Sequence, residues 1–161
     1  MVSVTAVWRN SADGYMEQAL QFAQQAFKQG EIPVGAVVID ADGKVLAQAS
    51  NRTMELGCQT GHAELLAIQQ ACKEINDWRL GGCWLFVTLQ PCMMCFGLAS
   101  LSRLAGIYYG ASSSLFGFVA EPSVLPLAYR DLVIISGIKE ESCAAILTEF
   151  FANARKSRKI R

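Results

Sequence analysis

The chain has 161 residues, 52% hydrophobic and 17% charged, enough to bury one core and too apolar for intrinsic disorder. Its 14 basic and 14 acidic residues cancel, so the molecule as a whole carries no field that announces a polyanionic partner. The cancellation hides an asymmetry. Arg155, Lys156, Arg158, Lys159 and Arg161 crowd the last seven positions, and the chain before them holds 9 basic and 14 acidic residues, a net of −5. Such a tail suits either phosphate contacts or a solvated helix end.

Residues 1–8 are apolar but short and follow no basic stretch, so no leader is expected. An amphipathic helix is predicted over 15–28, where Met16, Ala19, Leu20, Ala23 and Phe27 recur at helical spacing, with Asp13 as cap and Gly30 as stop. A β-branched run over 34–39 and a short strand over 45–49 flank Asp40-Ala41-Asp42-Gly43, a hairpin signal. Residues 50–61 read as loop, 63–75 as helix, 84–88 as strand, 92–101 as helix and 106–109 as strand. The Ser-, Gly- and Pro-rich stretch over 112–126 reads as a long loop or a short irregular helix. A strand over 132–136 and a helix over 140–158 follow.

No repeat or linker divides the chain, so residues 1–161 are expected to form one domain ending in a basic helix over 140–161. A hairpin followed by alternating helices and strands implies an α/β fold, a five-stranded mixed sheet with helices on both faces in three α/β/α layers. The longest apolar region, 91–109, is broken by Ser100, Ser102, Arg103 and Gly106, short of the roughly 20 continuous apolar residues of a membrane span. A cytoplasmic location is expected. There the six cysteines suit metal or catalytic work better than a disulfide framework.

His62, the single histidine, stands in Thr60-Gly61-His62-Ala63-Glu64 where a predicted helix opens. Pro91-Cys92-Met93-Met94-Cys95 lies thirty residues on, where a strand ends and the next helix begins. One imidazole and two thiolates make three ligands for zinc and leave a fourth tetrahedral position for water, the pattern of a catalytic site. Helix N-termini favour thiolate at Cys92 and Cys95. Glu64, two residues past His62, is placed to move protons without ligating the metal. Taken singly, the Cys-x-x-Cys is also compatible with a redox pair, and His62 with a structural role. Cys58, Cys72, Cys83 and Cys143 read as small hydrophobes.

His-x-Glu with Pro-Cys-x-x-Cys is the signature of zinc-dependent nucleobase deaminases. Beyond it, the chain resembles the bacterial tRNA-specific adenosine deaminases over nearly its full length. The matching stretches include Glu31-Ile32-Pro33-Val34-Gly35-Ala36-Val37, Asn51-Arg52, Asn76-Asp77-Trp78-Arg79-Leu80 and Leu85-Phe86-Val87-Thr88-Leu89. Near the end, Glu141-Ser142-Cys143-Ala144-Ala145-Ile146-Leu147 leads into Phe150-Phe151 and the basic tail.

The resemblance implies a cytidine-deaminase-like fold, one zinc ion per subunit, a homodimer, and a tRNA anticodon stem-loop as partner. It implies conversion of adenosine to inosine at the wobble position of an arginine tRNA, by zinc-bound hydroxide attacking C6 of adenine. Glu64 would shuttle the proton, Asn51 and the backbone at Ala63 would bind the base, and Val34 would line its pocket. Phe150 and Arg155 would lie beside the anticodon nucleotides.

Two positions depart from the family pattern. Gln90 stands where the family usually has Glu, and Ser112-Ser113-Ser114 replaces an Arg-Asp pair after Gly110-Ala111. Ser113, aligned with the acid that helps hold the neighbouring nucleotide, keeps the ability to bond a ribose hydroxyl without the strength of a carboxylate. Two other functions compete. A deaminase of free guanine, cytosine or a nucleoside would share the zinc chemistry but has no use for a basic final helix. A zinc-stabilised RNA-binding module would have no use for Glu64.

Overall fold

The computed structural model describes residues 11–118 and 131–158. The expectations for residues 1–8 and 119–126, and for Lys159 and Arg161, concern positions outside the described residues.

Five strands form one mixed sheet in the order β2-β1-β3-β4-β5. β1 (Gly35–Ile39) and β2 (Val45–Ser50) make the expected antiparallel hairpin, with Gly35 opposite Ser50. Asp40 closes it by accepting the Asp42 and Lys44 amides on Oδ1, both at 2.9 Å. On its other side β1 pairs antiparallel with β3 (Trp84–Leu89). β3 runs parallel to β4 (Gly106–Ala111), and β4 parallel to the short edge strand β5 (Val133–Ile135).

The helices divide between the two faces. α1 (Ala12–Lys28) and the final helix, α5 (Glu140–Arg158), cover one face, while α3 (Ala63–Ile75) and α4 (Met93–Leu101) cover the other. This is the expected three-layer fold. Small residues bring α1 close to the sheet: Ala12, Ala19, Ala23 and Ala26 are all buried. At Gly35 even a methyl group would collide with the Ala19 carbonyl and the Ala23 amide, so the start of β1 needs glycine for packing.

Several boundaries differ from expectation. α1 begins at Ala12, and its N-cap is Ser11 instead of Asp13, which lies in the first turn. The stretch read as loop over 50–61 contains a one-turn helix, α2 (Thr53–Leu56), and a 3₁₀ turn (Gln59–Gly61). α2 owes its form to a distant residue. The Glu31 carboxylate accepts the Met54 amide at 3.0 Å and the Glu55 amide at 2.7 Å, a cap supplied from outside the segment. α4 begins at Met93, with Cys92 as its N-cap residue, and β5 spans fewer residues than its apolar run suggests.

Candidate active site

Two helix starts converge on the face that carries α3 and α4. His62 is the N-cap residue of α3 and Cys92 that of α4, both with extended backbone and without a side-chain cap. The first-turn amides of both helices therefore point toward whatever these residues hold, and their partial positive charge favours a thiolate there. Cys95 sits in the first turn of α4, fully buried.

The donor atoms form a tight triangle. Cys92 Sγ lies 3.6 Å from Cys95 Sγ, and His62 Nδ1 lies 3.7 Å from Cys92 Sγ and 3.4 Å from Cys95 Sγ. A tetrahedral zinc with bonds of about 2.3 Å to sulfur and about 2.0 Å to nitrogen sets its donors about 3.5–3.8 Å apart. The triangle fits that ion. The imidazole is also turned correctly: Nε2 faces the Gln59 Oε1 acceptor at 3.2 Å, so it carries the proton and donates, leaving the Nδ1 lone pair for a metal.

The three groups lie within hydrogen-bonding distance of one another. Hydrogen bonds from Cys95 and His62 bring the Cys92 thiol down to about 3. The same bond to Cys92, together with burial, pushes Cys95 far up, and His62 is raised chiefly by its bond to Cys92. A divalent cation would displace their protons, because only deprotonated sulfur and neutral imidazole ligate. Glu64 stands in the first turn of α3 at 5% exposure, electrostatically coupled to His62, Cys92 and Cys95. Burial raises its carboxyl above the ordinary carboxylate range, against a smaller pull from its own backbone amide and His62.

Asn51 and Val34 form a second buried group. The Asn51 amide donates to the Val34 carbonyl at 2.9 Å, and Asn51 Nδ2 donates to Glu31 Oε2 at 3.1 Å. Asn51 Oδ1 accepts the Thr53 hydroxyl at 3.1 Å. Glu31 is 2% exposed, so one buried carboxylate both orients Asn51 and caps α2. Neither Glu31 nor Gln59 stands out from the sequence as a site residue. A carboxylate beside the apolar run Ile32-Pro33-Val34 was the available signal for Glu31.

The family model described as MafB19-like deaminase matches residues 10–155. A curated tRNA-specific adenosine deaminase from Agrobacterium fabrum is 40% identical over 145 residues, covering 88% of this chain and 94% of the relative. Another, from Bacillus subtilis, is 37% identical over 152 residues, covering 90% of this chain and 91% of the relative. The chain belongs to the tRNA-specific adenosine deaminase family. A solved structure from work on A-to-I editing by tRNA:A34 deaminases superposes with a TM-score of 0.77 at 38% identity, over 83% of this chain and 99% of that one.

The remaining residues singled out in this deaminase are Ser113, Phe150 and Arg155. Ser113 is half-buried in the loop after β4, where its hydroxyl accepts the Phe116 amide at 3.3 Å. Phe150 and Arg155 are on α5, on the opposite face of the sheet from α3 and α4. Phe150 packs edge-on against Phe27 of α1, with ring centroids 5.7 Å apart, and Arg155 is exposed. Among the described residues, no helix is long and apolar enough to cross a membrane.

Proposed function

We propose that this chain hydrolyses adenosine to inosine at the wobble position of a tRNA anticodon, with arginine tRNA as the first candidate, and that residues 1–161 act as one catalytic domain. The observation that carries the reading is the His62, Cys92 and Cys95 triangle with Glu64 buried beside it. His62, Cys92 and Cys95 would hold one zinc ion per subunit. Zinc there supplies a Lewis acid that brings the pKa of a water toward neutrality.

The chain's own groups do the rest. Glu64 takes a proton from the attacking water and delivers it to the amine that leaves C6 as ammonia. Asn51, held by Glu31, keeps one N–H free to bond the base. The Ala63 amide, in the first turn of an uncapped helix, has no intrahelical partner and is free to read the base edge. Val34 lines the pocket wall, and Ser113 meets a ribose hydroxyl through its O–H. Phe150 anchors α5, so that Arg155 reaches anticodon phosphates. An anticodon loop is single-stranded, and its target base enters the pocket without breaking a duplex.

The working unit is a homodimer in the cytoplasm. Pairing is supported by apolar side chains left exposed, among them Met54 and Leu56 on α2 and Met93 and Leu101 on α4 of the metal-bearing face.

The test is inosine formation in an anticodon stem-loop carrying adenosine at the wobble position, with guanosine there as the blank. Inosine confined to that position is expected. None from folded, zinc-loaded protein overturns the reading and points to free guanine, cytosine or nucleosides, assayed by ammonia release.

A further inference from the structure

Gln90 directly follows β3 and precedes Pro91 and the ligand Cys92. Its carboxamide is engaged at both ends by one loop. Oε1 accepts the Ser113 amide at 3.0 Å, and Nε2 donates to the Phe118 carbonyl at 3.3 Å. The Phe118 amide in turn donates to the Pro91 carbonyl at 2.9 Å, and the Gln90 amide donates to the Ala111 carbonyl at 2.8 Å. Three of these bonds tie the 113–118 loop to the turn that presents Cys92, and the fourth joins that turn to the end of β4. The Phe118 ring adds packing on Phe96 of α4, with centroids 4.8 Å apart.

Gly117 is part of the same device. A Cβ there would press into Gln90 Oε1 and Cδ and into the Ser113 carbonyl, so the loop closes over the carboxamide only with glycine at that position. The chemistry of the pair also selects the amide over the acid. The two loop groups are one donor and one acceptor. A carboxylate serves the Ser113 N–H but has no proton for the Phe118 carbonyl, whose partial negative charge it would face.

We propose that Gln90 is a positioning residue, whose carboxamide locks the 113–118 loop onto the Cys92 turn and sets the wall that the RNA meets beside the catalytic cluster. The loop bonds the residue next to Cys92, and neither of these carboxamide hydrogen bonds goes to His62, Cys92, Cys95 or Glu64. Its loss should weaken substrate binding while chemistry on bound RNA proceeds. The kinetic part of this inference rests on the function proposed above, and the structural part does not.

The experiment uses the full-length, zinc-loaded protein and variants that break the clamp from either side: Gln90→Met, Gly117→Ala and, as a partial break, Gln90→Glu. Residue-resolved amide hydrogen exchange reads the clamp without any substrate. Protection of the Ser113 amide should fall by roughly tenfold in Gln90→Met and Gly117→Ala and persist in Gln90→Glu, while the Phe118 amide, still bonded to the Pro91 carbonyl, should lose less. On the anticodon stem-loop, KM should rise roughly fivefold or more in Gln90→Met, the scale of one lost hydrogen bond, with kcat near the parent value. Gln90→Glu should fall between parent and Gln90→Met.

Unchanged exchange at the Ser113 amide in Gln90→Met and Gly117→Ala overturns the clamp. Lost protection with unchanged KM, or a fall in kcat alone, overturns its role toward substrate. A parent protein that exchanges as expected but makes no inosine sustains the clamp and overturns the proposed function instead.

Discussion

Along β3, Leu85 and Val87 enter the core beneath α3 and α4, while Trp84 and Phe86 enter the core beneath α1 and α5. One strand therefore serves two unlike layers. Under α3 and α4 the helix residues are small, with Ala63, Ala67, Ala71 and Ala99 all fully buried. Small side chains let α3 lie close to the sheet while α4 packs against α3, and their first turns then carry His62 and Cys92 to one point. Beneath α1 and α5 the filling is aromatic. Phe86 stacks on Tyr108 at 4.7 Å and contacts Tyr15 at 5.1 Å, and Trp84 lies 5.2 Å from Tyr108. The first face builds a site, and the second supplies the mass that holds the strands feeding it.

The comparison predicts that substitutions on the two faces fail in different ways. The largest effect belongs to Glu64→Ala, which should lower kcat by roughly 10²–10⁴-fold with zinc content unchanged by metal analysis. A near-normal rate would remove Glu64 from the mechanism. Next comes Phe86→Ala on the aromatic face, expected to cost about 3–5 kcal/mol in denaturant unfolding. Its folded fraction should turn over near the parent rate. A large fall in kcat there would mean that the two layers are not separable.

The smallest effect is that of Arg155→Ala, on the exposed side of α5. It should weaken RNA binding modestly and flatten the log–log salt dependence by about 0.7 for a single-stranded contact. An unchanged slope would detach that helix from the phosphates.

The elements themselves were legible in the sequence, because hydrophobic period and turn chemistry are local. The helices at Ala63–Ile75 and Glu140–Arg158 match their predicted bounds, and the hairpin closes on Asp40 as its turn residues indicate. The candidate donor set was legible for a different reason. Histidine and cysteine are rare enough that their spacing at strand-to-helix junctions names the chemistry before any geometry is known. α2 was missed because its cap comes from Glu31, more than twenty residues earlier, and no local propensity encodes it.

What this chain determines by sequence alone is therefore its strands, its longer helices and the identity of the donor set, since each depends on neighbours a few positions away. Tertiary structure decided the working state of those groups. It turned the His62 ring so that Nδ1 faces the sulfurs, buried Glu64 beside them, oriented Asn51 through Glu31 and closed the 113–118 loop on Gln90. Apart from the short His62–Gln59 bond, these arrangements join segments 20 or more residues apart. Only when the sheet brings such segments together does a polar side chain find the partner that makes its burial tolerable and its direction unique.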